Sequence, residues 1–158
     1  MLKKKLLIIA GAVFAFGLLS FGAAHAQEFR SGDNLNVAKS EKIERTLFIA
    51  GNQLNIDADV DGDIFCAGQN ITINGAVKGD VFCAGQNITI NGPVSGGVRV
   101  AGQTIDVNSV VEGSVSVAVS KFNLGANGKV TRDLSVVSET TDLNGDVARD
   151  VAFSGTKL

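Results

Sequence analysis

The stretch Gly62-Asp63-Ile64-Phe65-Cys66-Ala67-Gly68-Gln69-Asn70-Ile71-Thr72-Ile73-Asn74-Gly75 returns almost unchanged over residues 79–92, a shift of 17 residues. Carried outward, the frame starts at Arg45, Gly62, Gly79, Gly96 and Gly113, and after a two-residue slip at Arg132 and Arg149. Its columns are apolar. One runs Leu47, Ile64, Val81, Val98, Val115, Leu134, Val151; two positions on, another runs Ile49, Cys66, Cys83, Val100, Val117, Val136, Phe153. A third is Leu54, Ile71, Ile88, Ile105, Phe122, Thr141, Leu158, and a fourth Ile56, Ile73, Ile90, Val107, Leu124, Leu143. The fifth is all valine: Val60, Val77, Val94, Val111, Val130, Val147. Leu35, Val37 and Ile43 fit a partial coil before the first full one.

Within each unit the apolar residues come in pairs at i and i+2, such as Ile64/Cys66 and Ile71/Ile73, the alternation of strands with one buried face. Glycines (Gly68, Gly85, Gly102) and Asn-Gly steps (Asn74-Gly75, Asn91-Gly92, Asn144-Gly145) divide the unit into three short strands and three corners, with Asn and Gly supplying the positive φ that a sharp corner asks for. A hairpin fold has no use for a strict 17-residue register. A solenoid does, because each strand pairs with its own counterpart one coil on and like residues stack in columns. The expectation is an all-β, three-faced parallel β-solenoid over residues 45–158, with residues 27–44 as an N-terminal cap and partial coil. Right-handed winding is the general preference, and six coils at ~4.8 Å each make a rod of ~30 Å.

Residues 1–26 read differently. Lys3, Lys4 and Lys5 precede an apolar run, and Ala24-His25-Ala26 has the small residues that a signal peptidase reads. Cleavage near Ala26 and export are expected; the other reading is a membrane anchor, since residues 6–24 nearly span a bilayer. Removal of three lysines turns 14 basic residues into 11 against 16 acidic, a net charge of −5. The single histidine leaves too, which excludes Ser-His-Asp and Cys-His chemistry and histidine metal sites from the rest. An acidic chain has no electrostatic case for nucleic acid, and nothing in the pattern asks for a cofactor. Two cysteines cannot build a disulfide scaffold.

The repeats of residues 62–75 and 79–92 resemble the G-D-hydrophobic, A-G-G-N-V-T-I-N-G units of bactofilin-like polymer-forming cytoskeletal proteins. Glu28-Phe29-Arg30-Ser31-Gly32 after a leader is similar to the exported bacterial branch of that group. The resemblance covers roughly residues 28–158. It implies a right-handed β-helix that assembles end to end, without nucleotide, as a scaffold of the cell envelope. The chain departs from the pattern by carrying an export signal, where typical members are cytoplasmic, and by lacking the membrane-spanning segments of many exported relatives.

Several features are candidates for more than framework. Cys66 and Cys83 share an inward column in adjacent coils. A spacing of ~4.8 Å suits a disulfide in an oxidising compartment, yet a ladder holds the Cβ atoms about that far apart where a disulfide prefers ~3.8 Å, so two small buried side chains are the other reading. Phe48, Phe65 and Phe82 form an outward stripe, continued by Arg99, Ser116, Ser135 and Ala152. Such a stripe is either covered by residues 28–44, the favoured reading, or a contact surface. Asp57-Ala58-Asp59-Val60-Asp61-Gly62-Asp63 opens like a calcium loop but has Gly68 where a bidentate Glu belongs, so an acidic solvated corner is the blander reading. Gln69, Gln86 and Gln103 are placed to stack as an amide ladder. Thr72 and Thr89 are too few for an ice-binding array. Asp63, Asp80 and Arg99 are exposed, but no tyrosine or tryptophan offers a sugar platform, so no enzyme is expected. The chain stops on a buried column at Leu158: either it is a truncated part of a larger, membrane-anchored protein, or that coil docks head to tail on another subunit and builds a filament. Envelope polysaccharide or protein is the alternative partner, for a monomeric spacer or binding module.

Overall fold

The computed structural model describes residues 27–158; the expected signal segment, residues 1–26, lies outside the described residues. Twelve strands follow in order: β1 (Glu28–Ser31), β2 (Asn34–Val37), β3 (Leu47–Ile56), β4 (Ile64–Ile73), β5 (Val81–Ile90), β6 (Val98–Val107), β7 (Val110–Val111), β8 (Val115–Leu124), β9 (Lys129–Val130), β10 (Leu134–Leu143), β11 (Asp146–Val147) and β12 (Val151–Lys157). The main sheet runs β1-β3-β4-β5-β6-β8-β10-β12, with β2 also on β3; β11-β9-β7 form a second sheet. Pairing is parallel throughout and joins like residues one coil apart: Ile64 to Val81, Cys66 to Cys83, Ile71 to Ile88. The protein is a β-solenoid of stacked 17-residue coils. Among the described residues no helix is long and apolar enough to cross a membrane.

The five columns are the core. Leu47, Ile64, Val81, Val98 and Val115 are fully buried, as are Ile56, Ile73, Ile90, Val107 and Leu124. The valine column closes the third side through single bridges, Val60 to Val77 and Val77 to Val94 among them. Thr141, the one polar member, is buried and bonds the buried Ser138 hydroxyl at 2.5 Å. No buried side-chain polar atom is left without a partner among the described residues.

Three sequence expectations are corrected. The coil does not hold three short strands: β3, β4, β5, β6, β8 and β10 are continuous ten-residue strands that bend through the glycine position, and the third side is reduced to one or two residues. The glycines are not there for positive φ, which no described residue adopts. They are there for closeness. A Cβ on Gly85 would lie 2.5 Å from the Gly68 carbonyl oxygen one coil back, and one on Gly92 would meet the backbone of Gly75; side-chain-free backbone is what lets the coils stack at these corners. Finally, the amide ladder runs through asparagine. Asn55, Asn74, Asn91 and Asn108 each donate to the asparagine one coil back at 2.9–3.3 Å. Gln69, Gln86 and Gln103 make no such bonds; the extra rotatable bond of Gln costs more to order at an exposed corner.

The aspartates are also placed by the coil. The Asp63 carboxylate accepts the Asp80 N–H at 2.8 Å, and the Asp80 carboxylate accepts the Gly97 N–H at 2.6 Å. This is the physical content of the Gly-Asp step: each carboxylate tethers the start of the next coil's strand.

At the N-terminal end, β1 pairs with β3 so that Glu28 falls on the Leu47 column and Arg30 on the Ile49 column. Charged side chains thus replace aliphatic ones on the first described rung. Arg30 bonds Glu28 and reaches Glu41 at 2.5 Å, while Glu41 also accepts the Ala38 N–H at 2.8 Å. The Arg30 guanidinium, and secondarily the Ala38 N–H, hold the Glu41 carboxyl below its usual range. A carboxyl lowered by folding contributes stability above its unfolded pKa of about 4.3, and that contribution disappears as pH falls through the folded value. The chain is therefore expected to lose stability on acidification from about pH 4 downward, by up to about 1 kcal/mol from this exposed pair. Glu41→Gln should abolish that component; acid titrations of the two proteins with identical slopes would contradict it.

Candidate functional site

The outward stripe is the most distinctive surface of the rod. Strands β3, β4 and β5 alternate in–out, so the residue between two buried columns faces outward. In register, those residues are Phe48, Phe65 and Phe82. Their rings stack almost parallel, with centroids 4.9 and 4.8 Å apart and interplanar angles of 6° and 5°. The coil repeat sets that spacing, and it matches offset stacking distances. Arg99 takes the next rung and lays its guanidinium 5.2 Å from the Phe82 centroid. It also pairs with Asp80, at 3.3 Å.

Residues 28–44 do not cover the stripe. They add a rung at the N-terminal end, and β1 sets Phe29 in register with Phe48. Phe29 is 70% exposed. The stripe therefore has four phenylalanines, one more than the repeat frame revealed. The signal was present: Leu35 and Val37 sit 19 residues before Leu54 and Ile56, and the same offset carries Phe29 onto Phe48.

The stripe forms one wall of an open groove of about 760 Å³. The opposite wall is the outward column two residues on, Ala50, Ala67, Ala84, Ala101 and Ala118; tall rings facing methyl groups make the channel. Its floor is the inward column between them, Ile49, Cys66, Cys83, Val100 and Val117. Cys66 and Cys83 are joined by a disulfide, with Cα atoms 4.5 Å apart. The lining is apolar except at Arg99, Ser116 and Ser135.

The other candidates separate rather than converge. The Asp57–Asp63 segment does not fold as a cation loop. Asp57 accepts from Asn55 and Asn74, Asp59 from the Ala76 N–H, Asp61 from Lys78 and Asp63 from the Asp80 N–H. Each carboxylate is engaged by a neighbour of its own, because the turn between β3 and β4 carries them past different residues of the adjacent coil. Among the described residues no group of three or more His, Cys, Asp or Glu side chains is arranged to hold a metal ion. Thr72 and Thr89 pair across β4 and β5, but Asn55 and Asp106 flank them in the same column.

Comparison of the chain with models of protein families, with curated protein sequences and with solved structures finds no match.

Proposed function

We propose that the protein is a non-catalytic, exported, self-associating β-solenoid that serves as a scaffold in a bacterial cell envelope. The observation that carries this reading is the contrast between the middle of the rod and its β12 coil. Val151 and Phe153 continue the columns of Leu134 and Val136, which are 1% exposed each. Yet Val151 is 44% exposed, Leu158 is 65% exposed, and Leu143 and Val147 are only partly covered. Among the described residues the outer edge of β12 has no strand partner, and an open parallel edge with exposed core side chains takes a further coil. In this reading a second copy supplies it.

The likeness of residues 62–75 to polymer-forming repeats supports the same reading, and the Cys66–Cys83 disulfide suits the oxidising compartment that an exported protein meets. The two ends differ in chemistry, apolar at β12 and charged at Glu28 and Arg30. The β12 face of one chain meets the β1 face of the next, the one joint that keeps the pairing parallel and lets the coil pattern run on.

Val151→Lys tests the joint. A lysine on a column that must be buried in the joint carries a desolvation cost, so light scattering should show the assembled protein converted to single chains. The melting temperature should stay within a few degrees, since Val151 is already half-exposed. Unchanged assembly would remove β12 from the account.

A further inference from the structure

We propose that the groove beside the phenylalanine stripe binds a single-chain anionic amphiphile, an alkyl carboxylate whose chain lies along Phe29, Phe48, Phe65 and Phe82 and whose head sits on Arg99. The site does not depend on whether copies assemble.

The chemistry of the walls selects the ligand. The ring faces are already used, phenylalanine on phenylalanine and Arg99 over Phe82. A sugar or a planar aromatic ligand needs a free ring face and finds none between Phe48 and Arg99. What the stack offers is a continuous ridge of ring edges facing a row of alanine methyls, and an alkyl chain is the group that fills such a channel without needing direction. Four rungs at ~4.8 Å span ~14 Å. At a carbon–carbon bond of about 1.5 Å in a zigzag, that length takes a chain of about a dozen carbons.

Polarity then changes at one rung. Phe82 is in register with Arg99, and Arg99 with Ser116. A guanidinium carries five donors, of which the Asp80 contact occupies one, so a carboxylate head has donors to meet at the point where the apolar wall stops. The net charge of residues 27–158 is negative and opposes an anion, so any preference for an anionic head traces to Arg99. A second copy fits this surface less well. Laid along the stripe, it would bury Arg99 and Asp80, whose side chains are 56% and 39% exposed, and taking such a pair out of water is costly. An amphiphile leaves its head at the open side.

Titration calorimetry of the purified protein with sodium dodecanoate, below its micelle concentration, tests the proposal. Saturable binding of one dodecanoate per chain is expected. Octanoate should bind at least tenfold more weakly, because each methylene removed from contact lowers affinity. Dodecyl maltoside and dodecyltrimethylammonium, neutral and cationic with the same chain, should also bind at least tenfold more weakly. Arg99→Gln should erase the preference for the anion and keep a residual affinity equal to that of the neutral ligand. Phe65→Ser, checked for fold by circular dichroism, should lose all three ligands. No saturable dodecanoate binding, equal affinity for the three heads, or an Arg99→Gln protein that still prefers the anion would each overturn it. So would a Phe65→Ser protein that keeps dodecanoate binding but loses assembly, which would give the stripe to a second copy.

Discussion

Replacing Phe122 by alanine is expected to lower the unfolding free energy by about 3–5 kcal/mol, the range for deleting a fully buried aromatic side chain. Phe122 is 0% exposed. It continues the Leu54, Ile71, Ile88, Ile105 column, pairing with Ile105 on one side and Thr141 on the other. The column narrows at Thr141, and the large ring one coil back supplies volume that a threonine does not. In a solenoid each coil touches only its neighbours, so no distant segment moves in to close the cavity. The loss should also be uneven along the rod. Amide exchange should accelerate in β10 and β12 and stay unchanged in β3, β4 and β5, the last two of which are joined by the disulfide. Urea denaturation showing a loss under about 1 kcal/mol, or exchange that rises equally everywhere, would contradict this placement of Phe122.

Breaking the Cys66–Cys83 bond is the second large effect. It closes a loop of 17 residues, and a loop of that size restricts the unfolded chain by about 3 kcal/mol in the chain-entropy account. For a chain of this size the melting point should fall by on the order of 10 °C. The informative variant is Cys66→Val with Cys83→Val. Valine already fills this column at Val100 and Val117, so the core is kept and only the cross-link goes. Reductant should lower the melting point of the natural chain to that of the variant and leave the variant unchanged. Thiol titration after denaturation without reductant should find no free thiol; two would contradict the bond.

The columns were legible in the sequence because a solenoid stacks like on like, and a column of Val60, Val77, Val94, Val111, Val130 and Val147 has no other economical cause. Stacking also made Phe48, Phe65 and Phe82 legible as a stripe. What escaped depends on distances between coils. The glycines looked like providers of unusual torsions, whereas Gly85 answers to a carbonyl one coil away. Phe29, Glu28 and Arg30 escaped because the first coil is two residues longer than the repeat, which hides their register. The Asp57–Asp63 pattern matched a cation loop in spacing alone; along the turn between β3 and β4 the same carboxylates meet different neighbours. The choice of asparagine over glutamine for the ladder turned on one methylene, which no column of residue types reveals. Arg99, by contrast, was visible as the rung after Phe82, but its contacts with both Phe82 and Asp80 needed side-chain geometry.

The proposed filament requires the coil pattern to continue from one chain into the next. Negative-stain electron microscopy of the purified protein, across a range of concentration and salt, tests it most directly. The expected result is unbranched filaments one solenoid wide that lengthen with concentration and shorten to single rods in Val151→Lys. Monodisperse single rods from the natural chain under every condition would contradict it.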